Sequence, residues 1–179
     1  MFKIFLVFLI PFFFIFVQAE NIGSNTGYKI PRFVSLKSNE VNLRIGSSTN
    51  YPVILQYNMM NLPVEIIEEY GVWRKINDFE GNEGWIKKTL LKGDRFAIIN
   101  HPNKSSIQIF SKPQENIIGE IGEFNIVKID TCLIKWCKIK HQHIKGWVNK
   151  ENLWGVYTNE KINVPFYQNI INIFWKVNF

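Results

Sequence analysis

The sequence predicts an all-β protein made of two tandem copies of one small unit, with an export signal in front and a short tail behind. Two observations carry this. The segment Trp73-Arg74-Lys75-Ile76 followed by Gly84-Trp85-Ile86 recurs as Trp136-Cys137-Lys138-Ile139 followed by Gly146-Trp147-Val148, so the tryptophans repeat 63 and 62 positions apart (136 minus 73, 147 minus 85). That interval is longer than the period of solenoids and propellers and suits tandem domains of roughly 50 residues plus a connection. From residue 32 onward, apolar residues also alternate in short runs broken by turn residues, with no amphipathic helical pattern before residue 165.

Residues 1–19 read as a signal peptide, with Lys3 as the positive start, Ile4 to Val17 as the apolar stretch and Val17-Gln18-Ala19 as a small-residue cleavage site. The apolar stretch has 14 residues, contains Pro11 and falls short of the roughly 20 that span a bilayer. Cleavage near Ala19 is expected, and the mature chain is then periplasmic or secreted. Loss of Lys3 lowers the formal charge from +6 to +5. The remaining lysines stand singly along expected strands with no basic block, which argues against a nucleic-acid partner.

Residues 20–31, rich in Asn, Gly, Ser and Thr, are expected to form a flexible lead-in. The first unit spans 32–91. Val41, Leu43 and Ile45 alternate with Asn42 and Arg44 as a half-buried strand, a surface loop follows at 46–50, and Tyr51 to Tyr57 and Leu62 to Glu69 supply the next strands. Trp73 to Phe79 and Gly84 to Lys87 make a hairpin, and Thr89-Leu90-Leu91 closes the unit as a helical turn. Residues 92–106 read as a linker whose Phe96-Ala97-Ile98-Ile99 is a candidate strand shared between the units. The second, diverged unit spans 107–157 and residues 158–179 form the tail.

Cys132 and Cys137 flank the turn that matches Tyr70 to Trp73 in the first copy, so they face each other across a hairpin at a spacing a disulfide accepts. An exported chain meets oxidising conditions, and a bridge is expected.

The run Val41-Asn42-Leu43-Arg44-Ile45-Gly46-Ser47-Ser48-Thr49-Asn50-Tyr51-Pro52-Val53-Ile54, followed by Gly84-Trp85-Ile86, resembles the bacterial SH3 domain. The second unit resembles a diverged copy, with Gln108-Ile109-Phe110-Ser111-Lys112 in place of the signature strand. The resemblance implies two tandem small SH3-like β-barrels with a short C-terminal tail. For members attached to wall hydrolases it also implies recognition of peptidoglycan peptides. The expected partner is therefore a peptidoglycan peptide, or alternatively an envelope protein bound by a structural adaptor.

Tyr51, Tyr57, Tyr70 and Trp73 lie near expected loop ends and form a candidate ligand platform. Arg44 and Arg74 are candidates to hold a peptide carboxylate. Trp85 and Trp147 are expected in the core, Trp73 and Trp136 partly exposed. Cys132, Cys137, His141 and His143 offer metal-ligand types, but four steps along a strand separate Cys137 from His141 by roughly 13 Å, too far for shared coordination. No metal or cofactor is expected. The same separation argues against a thiol enzyme, and Asp78, Glu80 and Glu83 are expected to be solvated at a hairpin tip, so no catalytic residues are assigned.

The tail admits two readings. As a helix, Phe166, Tyr167, Ile170, Ile171, Phe174 and Trp175 share a face that would dock on the protein or lie on a membrane. As a strand, Ile171, Ile173, Trp175, Val177 and Phe179 alternate, but the short repeats upstream do not supply the eight or more long strands of a membrane barrel.

Overall fold

A computed structural model describes residues 21–166. The expected signal peptide and the outer part of the tail, 167–179, lie outside the described residues.

The described residues are all-β, in two seven-stranded antiparallel sheets. The first contains β1 (Arg32–Leu36), β2 (Val41–Arg44), β3 (Val53–Tyr57), β4 (Pro63–Tyr70), β5 (Trp73–Asn77), β6 (Glu83–Lys87) and β7 (Leu91–Lys92). The second contains β8 (Phe96–Ile99), β9 (Ser106–Phe110), β10 (Ile117–Gly122), β11 (Ile126–Cys132), β12 (Trp136–His141), β13 (Ile144–Asn149) and β14 (Leu153–Trp154). The orders are β3-β2-β6-β5-β4-β1-β7 and β10-β9-β13-β12-β11-β8-β14. Adding seven to each label of the first order gives the second, so the repeat seen in two tryptophan motifs extends to every strand.

Short 3₁₀ turns, Lys88–Leu90 and Lys150–Asn152, precede β7 and β14. In both copies the glycine before the second tryptophan sits where a strand passes too close for a side chain. A Cβ on Gly84 would lie 2.7 Å from the Arg44 carbonyl oxygen, and one on Gly146 would lie 2.8 Å from that of Phe110.

Alternation along the strands builds one core per unit. Leu36, Val41, Leu43, Val64, Ile66, Ile76 and Ile86 fill the first, and Ile109, Val127, Ile129, Ile139 and Val148 fill the second. Burying each such side chain is worth roughly 1.5–3 kcal/mol.

The expected linker at 92–106 contains one full strand, β8. β8 pairs with β11 and β14 as β1 pairs with β4 and β7. Its Ala97 and Ile99 enter the second core while Ile98 enters the first. The candidate shared strand Phe96-Ala97-Ile98-Ile99 is indeed a strand, and its apolar run fits burial on both faces. The strand is thus hydrogen-bonded within the second sheet and packed on both cores.

Aromatic rings join the units. Phe33 meets Trp154 and Tyr157 with ring centroids 5.0 and 4.7 Å apart, and the Tyr157 hydroxyl donates to Glu65 Oε1 at 2.7 Å. Arg95 pairs with Glu160 and donates from Nη2 to the Gly155 carbonyl at 2.9 Å.

The lead-in also departs from expectation, because residues 21–31 dock on the first sheet. Ile22 bridges Lys29, the Asn25 and Thr26 amides donate to Glu69 Oε2 at 3.0 and 2.9 Å, and the Thr26 hydroxyl donates to Oε1 at 2.7 Å. Polar composition signals a loop but not the buried carboxylate that holds it.

Candidate functional site

The site is best built from strand register, since residues paired directly across a sheet present side chains on the same face. On the face of the first sheet turned away from the core, Arg44 pairs with Trp85, Trp85 with Lys75 and Lys75 with Glu68. The next row runs from Lys87 to Trp73 to Tyr70. Cations therefore interleave with aromatic rings over four strands, and the Lys87 ammonium lies 5.7 Å from the Trp73 ring centroid. Lys75 is paired with Glu83 at 2.8 Å.

Tyr51 closes the Arg44 end. Its carbonyl accepts from Arg44 Nη1 at 2.7 Å, and its ring lies so close over Gly46 that a Cβ there would come within 2.6 Å of it. Tyr51 and Tyr70 are both exposed.

The six candidate residues thus divide between two faces. Arg44, Tyr51, Tyr70 and Trp73 belong to the outer surface. Arg74 does not share it, because adjacent residues of a strand point to opposite faces. Arg74 is 3% exposed, lies on the core side, donates from Nη1 to the Trp73 carbonyl at 2.7 Å and pairs through Nε with Glu69 at 3.4 Å. Tyr57 also faces inward and is buried, its hydroxyl donating to Asp78 Oδ2 at 2.9 Å. Burial and Asp78 both push the Tyr57 phenol upward from its ordinary value.

Asp78, expected in solvent, is buried. It accepts from the amides of Glu80 and Asn82 at 3.0 and 2.8 Å and so organises the β5–β6 turn. The tryptophans also differ from expectation. Trp73 and Trp136 are buried, while Trp85 is half-buried on the outer face. Trp147 is buried, but in a separate cluster with Leu133 and Trp136 rather than in the main core.

That cluster shows how the same face differs in the second unit. Phe110 replaces Arg44 opposite Trp147, and Asn149 replaces Lys87 opposite Trp136. Leu133, whose amide donates to the Trp136 carbonyl at 2.8 Å, stands where the first unit has Tyr70. Phe110 packs edge-on against Trp136 at 5.4 Å, and Val164 of the tail packs against the cluster. Ile162 bridges Cys132 just before it. This face carries Arg44, Lys87 and the exposed Tyr70 in the first unit, whereas in the second Phe110, Leu133 and Val164 pack on the tryptophans beside Lys138 and Asn149.

On the opposite side, Glu69 has a fully buried side chain between Arg32 at 2.8 Å and Arg74. Burial works against its ionised form, but hydrogen bonds from Arg32, Thr26 and Asn25 and the charge of Arg74 outweigh that and pull its carboxyl down to about 2. In the second unit the equivalent positions are Cys132 and Cys137, joined by a disulfide. Their sulfurs are therefore not available as metal ligands, and His141 Nδ1 lies 3.1 Å from the Ile126 carbonyl oxygen. Sequence reasoning leaves out Lys75 and Lys87, although the period-two pattern through Trp73 already places Lys75 on its side. Nothing local in the sequence marks Glu69.

Two repeated antiparallel sheets, each closed by a 3₁₀ turn and a short strand, with an aromatic outer face, define a tandem small-β protein. The bacterial SH3 domain model matches residues 37–93 and 109–155, more than half of the sequence, and the chain belongs to that family. No curated protein matches it significantly. Among solved structures, that of NlpC1 from Trichomonas vaginalis is 15% identical with a TM-score of 0.31, over 74% of this chain and 48% of that one. The chain thus spans about half the length of that protein, and no functional statement rests on so distant a likeness.

Proposed function

We propose that the protein is an exported, non-catalytic, cell-wall-associated module whose two units are SH3-like barrels, and that the outer face of the first recognises a peptidoglycan peptide. Membership of the bacterial SH3 family supports a wall-associated role. The disulfide is compatible with a location outside the cytoplasm, as expected after cleavage near Ala19. The observation that carries the choice of face is the contrast between copies. Arg44, Lys87 and Tyr70 stand on this face of the first unit, where Phe110, Asn149 and Leu133 take their places in the second. An arginine beside aromatic rings can pair with a carboxylate while the rings cover the apolar part of a peptide.

Sedimentation with purified, protein-free sacculi tests this. The protein should pellet, and Arg44→Ala combined with Tyr70→Ala should leave it in the supernatant. Tyr70 is preferred to Trp73 for this test because its ring is exposed and its removal spares the fold.

A second reading, an adaptor for an envelope protein, is favoured by the free edge of the first sheet. There Val53 and Ile54 of β3 are exposed beside Ile45, Met59 and Met60. Unpaired edges with apolar side chains accept an added strand. An adaptor would not sediment with bare sacculi.

A further inference from the structure

Behind the outer face, where the docked lead-in meets β1, β5 and β7, lies a cleft of about 480 Å³. Four cations line it, Arg32, Arg74, Lys88 and Lys92, and no carboxylate does. Glu69 neutralises part of this charge from behind Arg32 and Arg74, and Asp94 pairs with Lys92 at 3.3 Å. Four cations against two carboxylates leave two positive charges in excess.

The floor is apolar, formed by Phe33, Val34, Ile66 and Leu91. Both oxygens of Glu69 are already taken: Oε1 by Thr26 and Arg32, Oε2 by the amides of Asn25 and Thr26. Arg32 Nη1 is buried without a hydrogen-bond partner among the described residues. A buried donor left unpaired costs roughly 1–3 kcal/mol and calls for a partner. Lys88 likewise has no ion pair among the described residues.

We propose that this cleft binds a carboxylate attached to a small apolar body, the chemistry of a peptide C terminus. The Lys88 and Lys92 ammonium groups supply donors for the oxygens, the Arg32 charge adds to their attraction, and the floor takes the apolar side chain. The volume lies within the range of small-ligand sites. A bare phosphate would use the same donors but leave the floor wet. This site is distinct from the proposed sacculus-binding face, because Arg74 and Trp73 point to opposite sides of β5.

The test titrates the mature protein with N-acetyl-alanyl-alanine, with its C-terminal amide and with inorganic phosphate, following backbone amide shifts by NMR. The free acid should shift the amides of Arg32, Lys88 and Lys92, and the amide and phosphate should bind at least roughly tenfold more weakly. Lys88→Gln with Lys92→Gln should weaken the acid by a similar factor, while Arg44→Ala with Tyr70→Ala should leave it unchanged. Equal binding of acid and amide, or no shifts at these positions, overturns the proposal. Phosphate binding as tightly as the acid overturns the assignment to a carboxylate. Because the Arg44 and Tyr70 variant reads the outer face separately, failure of either site does not imply failure of the other.

Discussion

Glu69 and Arg74 face each other across β4 and β5 at the register that Cys132 and Cys137 occupy across β11 and β12. One cross-strand position is thus closed by an ion pair in one copy and by a covalent bond in the other. Each also anchors a terminal segment: the lead-in hydrogen-bonds to Glu69, and Ile162 bridges Cys132.

The covalent version can be removed chemically. Reduction, or Cys132→Ser with Cys137→Ser, should destabilise the second unit by about 2 kcal/mol on loop-closure arithmetic for so short a loop. Thermal melts with and without reductant measure it, and mass spectrometry under non-reducing conditions should find the thiols protected from alkylation.

The ionic version responds to acid. The Glu69 carboxyl ordinarily titrates near 4.5 and is held at about 2 in the fold. Its contribution is present above the unfolded value and is lost as pH falls from about 4.5 toward about 2. Glu69→Gln should lower stability at neutral pH by about 3 kcal/mol, since it strands Arg32 and Arg74, and should remove that part of the acid sensitivity. Melts at several pH values decide it, and an unchanged acid profile in the variant would refute the assignment.

Tyr57 provides the alkaline counterpart. Its pKa is raised by burial and by Asp78, so its contribution is present below the unfolded value near 10 and wanes as pH climbs above it. Tyr57→Phe should cost about 1 kcal/mol, because Asp78 loses a donor inside the protein. Absorbance titrations of the wild type and of Tyr57→Phe should differ only well above the ordinary phenol value near 10, and a difference at that value would place the Tyr57 ring in solvent.

The tryptophans separate the two faces energetically. Trp147→Ala, which empties a buried cluster, should destabilise by about 3–5 kcal/mol. Trp85→Ala should cost clearly less, since that ring is half-buried on an open face. Denaturant unfolding of both variants provides the comparison, and equal losses would place Trp85 in a core.

The sequence by itself determined the all-β class, the tandem repeat, the Cys132–Cys137 pairing and the alternating strands around Leu43 and Ile76. Each is written in local spacing: period-two hydrophobicity, turn residues and a motif that recurs at a fixed interval. Arg44, Tyr51 and Tyr70 were legible as surface residues for the same reason. Tertiary structure decided what depends on partners distant in the chain. It turned Arg74 inward to Glu69, buried Tyr57 on Asp78, gave β8 to the second sheet while sending Ile98 into the first core, and tied the lead-in to a carboxylate more than 40 residues away. A charged or polar side chain is buried when a specific partner compensates its loss of water. That partner is chosen by the register of strands far apart in sequence, which local patterns do not contain.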